Sequence, residues 1–206
     1  MVGAVEPAET AQLQSMTVVA RTVKTLLVRR GSMNIDMLAE HAIAPAVHVK
    51  IHKVLAECFP GYPDRSYFKQ IPHFRYLGWR EGELIAHMGV EHRVINQSGT
   101  PWNVFGIVDL CVVEPARSQG YAGNLIAELE KLARDSGIHA VVLFADDPRL
   151  YLGNGYSQVS NTVKWVMLNE HETIGIAERP VGELMVKTLD GRHWSPDLVD
   201  MLGYIF

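Results

Sequence analysis

The sequence predicts a mixed α/β (α+β) fold, and three stretches make the case. Residues 105–113 form an apolar, β-branched run that reads as a buried strand. After a short loop holding Gly120 and Gly123, Leu125, Ile126, Leu129, Leu132 and Ala133 recur at helical spacing through Arg134. Residues 140–145, a second apolar run after Gly137, complete a strand–helix–strand unit.

The remaining elements follow in order. Residues 2–14 are polar and Ala-rich and read as frayed. Residues 16–28 read as a strand, with a basic amphipathic segment as the alternative, and Asn34-Ile35-Asp36 starts a new element. Pro45 to Cys58 places Val47, Ile51, Val54 and Leu55 on one helical face. A turn-rich loop, Phe59-Pro60-Gly61-Tyr62-Pro63-Asp64, ends that helix, and residues 66–70 are expected to form a short second one. Residues 74–80 and 84–95 flank Glu81-Gly82-Glu83 as a hairpin, and Gln97-Ser98-Gly99-Thr100 turns into the next strand. Asp147-Pro148 starts a one-turn helix that Gly155 stops. Residues 156–159 and 162–168 read as a closing hairpin, 181–188 as one more strand, and 194–206 as a docked tail. The domain reading is an extension over 1–32, a main domain over 33–170, and a strand and tail over 171–206 packed on that same domain.

Totals exclude several classes. A chain of 206 residues can bury one sizeable core. Its net charge of −4 argues against a general nucleic-acid binder, and no apolar run is long enough for a membrane span. Two cysteines, Cys58 and Cys111, give no disulfide framework and suit a reducing cytoplasm. No signal peptide is read at the start. His48 and His52, four apart, read as a solvated face rather than a metal site. Cys111 reads as a buried apolar residue rather than a nucleophile. Trp79, Trp102, Trp165 and Trp194 read as core or rim.

The loop after residues 105–113 is the chemical centre. Free N–H groups and the dipole at a helix start attract anions, small residues let a ligand approach the backbone, and Arg117 adds a charge suited to phosphate. The glycines fit neither the dinucleotide fingerprint nor the nucleoside-triphosphate loop. Arg117, Gly120 and Ala122 form Arg-x-x-Gly-x-Ala, and Tyr151-Leu152-Gly153-Asn154-Gly155-Tyr156 follows one helix and one strand later. The pair resembles the two signatures of the GNAT superfamily of N-acetyltransferases. Within it, residues 58–61, 78–87 and 108–112 look most like aminoglycoside 2′-N-acetyltransferases.

The resemblance implies a strongly bent mixed sheet with helices on both faces, and acetyl-CoA lying where two parallel strands splay apart. Main-chain groups of Cys111, Val112 and Val113 would pair with its pantetheine amides. Arg117, Ser118, Gln119, Gly120, Tyr121, Ala122 and Gly123 would hold the diphosphate, with Asn154 beside them. The implied reaction is direct attack of a primary amine of a small molecule on the thioester, without a metal. Asp109, a charge inside an apolar strand, is the first candidate base, with Glu91 and His87 as alternates through a water. An ion pair or a substrate anchor is the other reading of Asp109. Tyr151 matches the family tyrosine that protonates the departing thiolate. Pro115-Ala116-Arg117 is one residue tighter than the family's Pro-x-x-Arg, which leaves the strand's register, and the face Asp109 occupies, open by one. Asp64, Glu91, Asp109 and Asp146 are candidates for an acidic acceptor pocket. Transfer of a longer acyl group, as in nodulation-type acyltransferases, and a non-catalytic CoA-binding module are the competing readings. A homodimer through residues 198–206 is also expected.

Overall fold

The structure, a computed structural model, describes residues 32–206. The expectations for residues 2–14 and 16–28 lie outside the described residues. Ten strands join one hydrogen-bonded sheet among the described residues. The chain runs β1 (Asn34–Ala39), α1 (Pro45–Cys58), β2 (Phe74–Arg80), β3 (Glu83–Gln97), β4 (Thr100–Val112), α2 (Tyr121–Asp135), β5 (Ala140–Phe144) and α3 (Arg149–Gly153). It continues through β6 (Ser157–Gln158), β7 (Asn161–Asn169), β8 (Glu172–Val181), β9 (Leu184–Thr188) and β10 (Val199–Asp200).

The principal sheet order is β6-β9-β5-β4-β3-β10-β7-β8, with β2 and then β1 added beside β3. β4–β5 and β10–β7 pair in parallel and the remaining neighbours pair antiparallel, so the sheet is mixed. β3 is the spine: one edge pairs with β4, while the other takes β2 at one end and β10 at the other. The two hairpins around it close through two-residue turns, Glu81-Gly82 and Ser98-Gly99, in which both residues hold positive φ. That conformation matches the right-handed twist of the flanking strands.

Helices cover both faces of this curled sheet, as the bent mixed fold requires. Neighbouring residues of a strand point to opposite faces. Accordingly Tyr76 packs with Leu125, Ile126 and Leu129 of α2, whereas Leu77 packs with Ile51, Val54 and Leu55 of α1. A third cluster, with Trp102, Val163, Trp165, Val199 and Met201, closes the far end of the sheet. Pro45 at the first helical turn pre-sets α1. Asp147 accepts the Arg149 N–H at 3.1 Å, which starts α3 at the predicted Asp-Pro step.

Three expectations change. Residues 66–70 form no helix. Their carbonyls are taken by arginine side chains, with Arg75 donating to Ser66 O at 2.7 Å and Arg65 to Tyr67 O and Phe68 O at 3.1 and 2.7 Å. The closing hairpin does not form, because β6 pairs with β9 at one end of the sheet and β7 with β8 and β10 at the other. Fully buried Asn161 anchors that switch by donating to Ser195 O and Asp197 O at 3.0 and 2.6 Å. The single strand over 181–188 divides at Gly182 into the end of β8 and all of β9. The C-terminal tail docks on its own chain, inserting β10 between β3 and β7 and burying Val199 and Met201.

Candidate active site

Parallel pairing of β4 with β5 ends at Gly106 and Val142. Beyond it, β5 continues to bond β9 while β4 runs on toward Val112, so a cleft opens between the two strands. Inside this free stretch Asp109 has φ 50, a left-handed conformation uncommon outside glycine and, to a lesser degree, Asn and Asp. The register slips there as well: Asp109 and Leu110 together oppose Met88 of β3. This is a bulge, the local device that re-aims a side chain. It answers the question of face that the Pro115-to-Arg117 spacing left open.

A buried polar network holds the bulge. His87 lies in β3, fully buried, with Nδ1 2.8 Å from the Asp109 carbonyl and Nε2 2.9 Å from Arg75 Nη1. A guanidinium can only donate, so Nε2 accepts and Nδ1–H donates to the carbonyl. Burial, and then the Arg75 charge, lower the His87 pKa to about 3. His87 is therefore a neutral post under the bulge and not a water-linked base. Arg75, itself fully buried, is neutralised by Glu40 through Nε at 2.6 Å and Nη2 at 2.9 Å.

On one side of the cleft lies a groove of about 380 Å³ that ends at α2. Cys111, Val112, Arg117, Ser118, Gly120, Tyr121, Ala122 and Gly123 line it. Gly120 caps α2 in a left-handed conformation at φ 80 and ψ 3, with open space where a side chain would stand. Asn124 N bonds back to Gly120 O at 3.0 Å, and the amides of Ala122 and Gly123 belong to the helix start, where intrahelical acceptors are lacking. Arg117 is fixed by donating from Nε to Val112 O at 3.0 Å. The corner thus offers a positive dipole end, a fixed cation and room.

Three of the expected cofactor residues lie off the lining of this groove. Val113 donates its N–H to Ile85 O at 3.0 Å, and its carbonyl accepts from Ala116 at 2.9 Å. Alternation along the strand turns the Cys111 main chain toward β3 too, leaving the Val112 N–H facing the gap while its carbonyl accepts from Arg117. Gln119 Oε1 accepts from the Tyr121 hydroxyl at 3.1 Å, and its Nε2 donates to Pro115 O at 3.3 Å. Asn154 donates to Leu150 O at 2.7 Å, with its side-chain amide beside Gly123.

On the other side is a cavity of about 670 Å³ with Glu91, Asp109, Asp146, Asp147, Tyr151 and Tyr204 in its wall. Asp109 Oδ2 accepts a 2.7 Å hydrogen bond from the Tyr62 hydroxyl. Burial raises the Asp109 pKa, opposed by that bond and by Arg75. Glu91 is 1% exposed and faces Arg93 Nε at 3.0 Å, and burial raises its pKa as well, against the pull of Arg93 and Tyr204. Burial pushes the Tyr151 phenol up to about 12. The two spaces share Phe59, Leu110 and Leu150, so they meet where β4 and β5 part.

A family model for the acetyltransferase (GNAT) domain matches residues 44–159, more than half the chain. The chain belongs to the GNAT acetyltransferase family. Membership makes it an acyltransferase. No curated protein matches the chain. Among solved structures it is similar to a GNAT-family N-acetyltransferase of Escherichia coli, YhbS, in complex with CoA (TM-score 0.54, 18% identity, 82% of this chain and 89% of that one). A GNAT-family acetyltransferase of Brucella melitensis in complex with acetyl-CoA gives a TM-score of 0.51 at 13% identity, over 81% of this chain and 94% of that one. Eis1 of Mycobacterium abscessus gives 0.53 at 15% identity over 64% of this chain, which spans only 33% of the Eis1 chain. At such identities the likeness is one of fold.

Within this GNAT fold, Asp109, Glu91, Asp146 and Tyr151 come to one cavity, whereas Asp64 lies outside it, 3.6 Å from His52. His48 bonds Ser66 Oγ at 3.0 Å, and among the described residues no group of three or more potential ligands surrounds a metal position. Sequence reasoning missed Tyr62, the Glu40–Arg75–His87 chain, and the tail residues Tyr204 and Phe206. Arg75 did carry a signal, as a charge within an alternating apolar strand. Tyr62 sat in a loop with no periodicity to read.

Proposed function

We propose that this GNAT protein transfers the acetyl group of acetyl-CoA to a primary amine of a small molecule by direct attack in a ternary complex. One observation carries the reading: the anion-ready groove at the start of α2 and the acid-lined cavity around Asp109 meet between β4 and β5. Acetyl-CoA supplies the activated acyl group. Main-chain amides of Gly120, Ala122 and Gly123, with Arg117, hold its diphosphate, and Val112 offers its N–H to the pantetheine as an added strand would.

Glu91, Asp109 and Asp146 favour a cationic acceptor, and Phe59, Phe68 and Phe206 give it an apolar wall. Asp109 is the base, since a carboxyl raised by burial lies nearer the working pH of proton transfer. Tyr151 is the proton donor to the leaving thiolate, because at about 12 its phenol stays protonated at neutral pH. Holding both reactants in one cleft supplies much of the rate.

Calorimetry with CoA, followed by an amine panel read through release of free thiol, tests the proposal. The panel contains aminoglycosides, polyamines and amino acids, because residues 58–61, 78–87 and 108–112 support an aminoglycoside-like acceptor by sequence resemblance. Saturable CoA binding and thiol release with one amine class are expected. A folded chain with no CoA affinity would end the proposal.

A further inference from the structure

The donor groove holds a pair of thiols for which acetyl transfer has no use. Cys58 is the last residue of α1 and Cys111 lies near the end of β4, and both line the groove rather than the acceptor cavity. Cys58 is half-buried and Cys111 is 8% exposed. Both are free, and Cys58 packs against the apolar cluster that holds Cys111. The neighbouring Cys111, helped by Arg117 and opposed by burial and Glu57, lowers the Cys58 pKa to about 7. The neighbouring Cys58, with burial and the Asp109 charge, raises that of Cys111 despite Arg117. One sulfur is therefore reachable and nucleophilic, and the other stands behind it with its proton.

We propose that Cys58 is a thiol–disulfide exchange site in the donor groove, attacking low-molecular-mass disulfides, with Cys111 as the resolving thiol. The Cys58 thiolate attacks one sulfur of R–S–S–R, forming Cys58–S–S–R and expelling RS⁻, which takes up the proton that Cys58 gave up. Cys111 then loses its proton and attacks the Cys58 sulfur. The second RS⁻ leaves and is protonated. The products are one Cys58–Cys111 disulfide and two RSH, and the two electrons lost by the protein thiols reduce the small disulfide. A thiol with pKa close to ambient pH is the best attacker in such an exchange. The cation and helix start at the same groove favour a disulfide that carries anions, either CoA disulfide or glutathione disulfide. The choice of CoA disulfide rests on the donor assignment above; the thiol chemistry does not.

The full chain, reduced and freed of reductant, is incubated with each disulfide and followed by intact mass and thiol titration. Wild type is expected to lose both thiols together and end two hydrogens lighter. Cys111→Ser, or Cys111→Ala where the serine variant melts early, should stop as a Cys58 adduct carrying one R group. Cys58→Ser should react at least about tenfold more slowly. Wild-type reaction rates in Cys58→Ser, or a wild-type adduct that persists with Cys111 still free, would overturn the proposal. Faster reaction with CoA disulfide assigns the cofactor's own oxidised form as the reactant; faster reaction with glutathione disulfide assigns the general thiol pool. Calorimetry of the reduced chain separates the two claims. Thiols that exchange in a chain without CoA affinity keep this site and remove the donor groove, and CoA binding beside inert thiols does the reverse.

Discussion

At the scale of single residues, Asp109 concentrates the interest. It combines a left-handed backbone, a bulge and a desolvated carboxyl at one position, and strain of this kind persists only where the surroundings over-determine it. The Tyr62 bond favours the ionised form, so its removal leaves burial opposed by Arg75 alone and lifts the Asp109 pKa further. Tyr62→Phe is therefore expected to move the acid limb of the kcat/KM profile to higher pH while leaving the plateau, measured across a pH series. Asp109→Asn keeps a residue tolerant of positive φ, should lose that limb, and should lower the plateau by about 10²–10⁴-fold. An unchanged limb in both variants removes Asp109 from the base role. Tyr151→Phe should depress kcat by at least about 10²-fold with CoA affinity intact, as single-turnover kinetics and calorimetry would read.

At the scale of elements, the C-terminal tail does more than cover the sheet. Arg93 stacks on Tyr204 and Phe206 at 4.5 and 4.0 Å and donates to Tyr204 O at 2.8 Å, fixing both rings against the acceptor cavity. Phe206 lies against Gly106, where any side chain would collide with the ring. Gly106→Ala should therefore displace the tail, cost about 1–3 kcal/mol in denaturant melts, and raise the KM for the amine while CoA affinity holds. Loss of stability with an unchanged KM would show that the tail does not shape acceptor binding. Hairpins β2–β3 and β3–β4 were legible because two-residue turns and alternation are local signals. The position of β10 was not, since a two-residue strand has no period and owes its place to Asn161 and β3, far away in sequence.

For the molecule as a whole, the buried histidine sets a pH dependence. The folded pKa of His87, about 3, lies below its ordinary value of 6.5, so between those values the unfolded chain binds a proton that the native one refuses. The contribution of His87 is present in full above pH 6.5 and drains as pH falls, by up to about 1.4 kcal/mol per pH unit. Asp109 and Glu91, both raised, have the opposite sign and favour the fold as pH drops. Comparison with His87→Gln isolates the histidine: the stability advantage of wild type should shrink between about pH 7 and pH 5 in urea titrations. A constant advantage would mean that His87 binds its proton equally in the native and unfolded states.

Sequence alone determined the strand–helix–strand unit around Gly120, its two hairpins, and the motif pair Arg117-x-x-Gly120-x-Ala122 and Tyr151-to-Tyr156. Each is written in contiguous residues whose periodicity and turn chemistry act over a few positions. Only the tertiary structure decided that Asp109 sits on a bulge, that His87 is its neutral prop, that Cys58 meets Cys111, and that the tail walls the acceptor cavity. Those are meetings between residues remote along the chain, made by sheet pairing and burial, and such contacts leave no spacing in the sequence to be read.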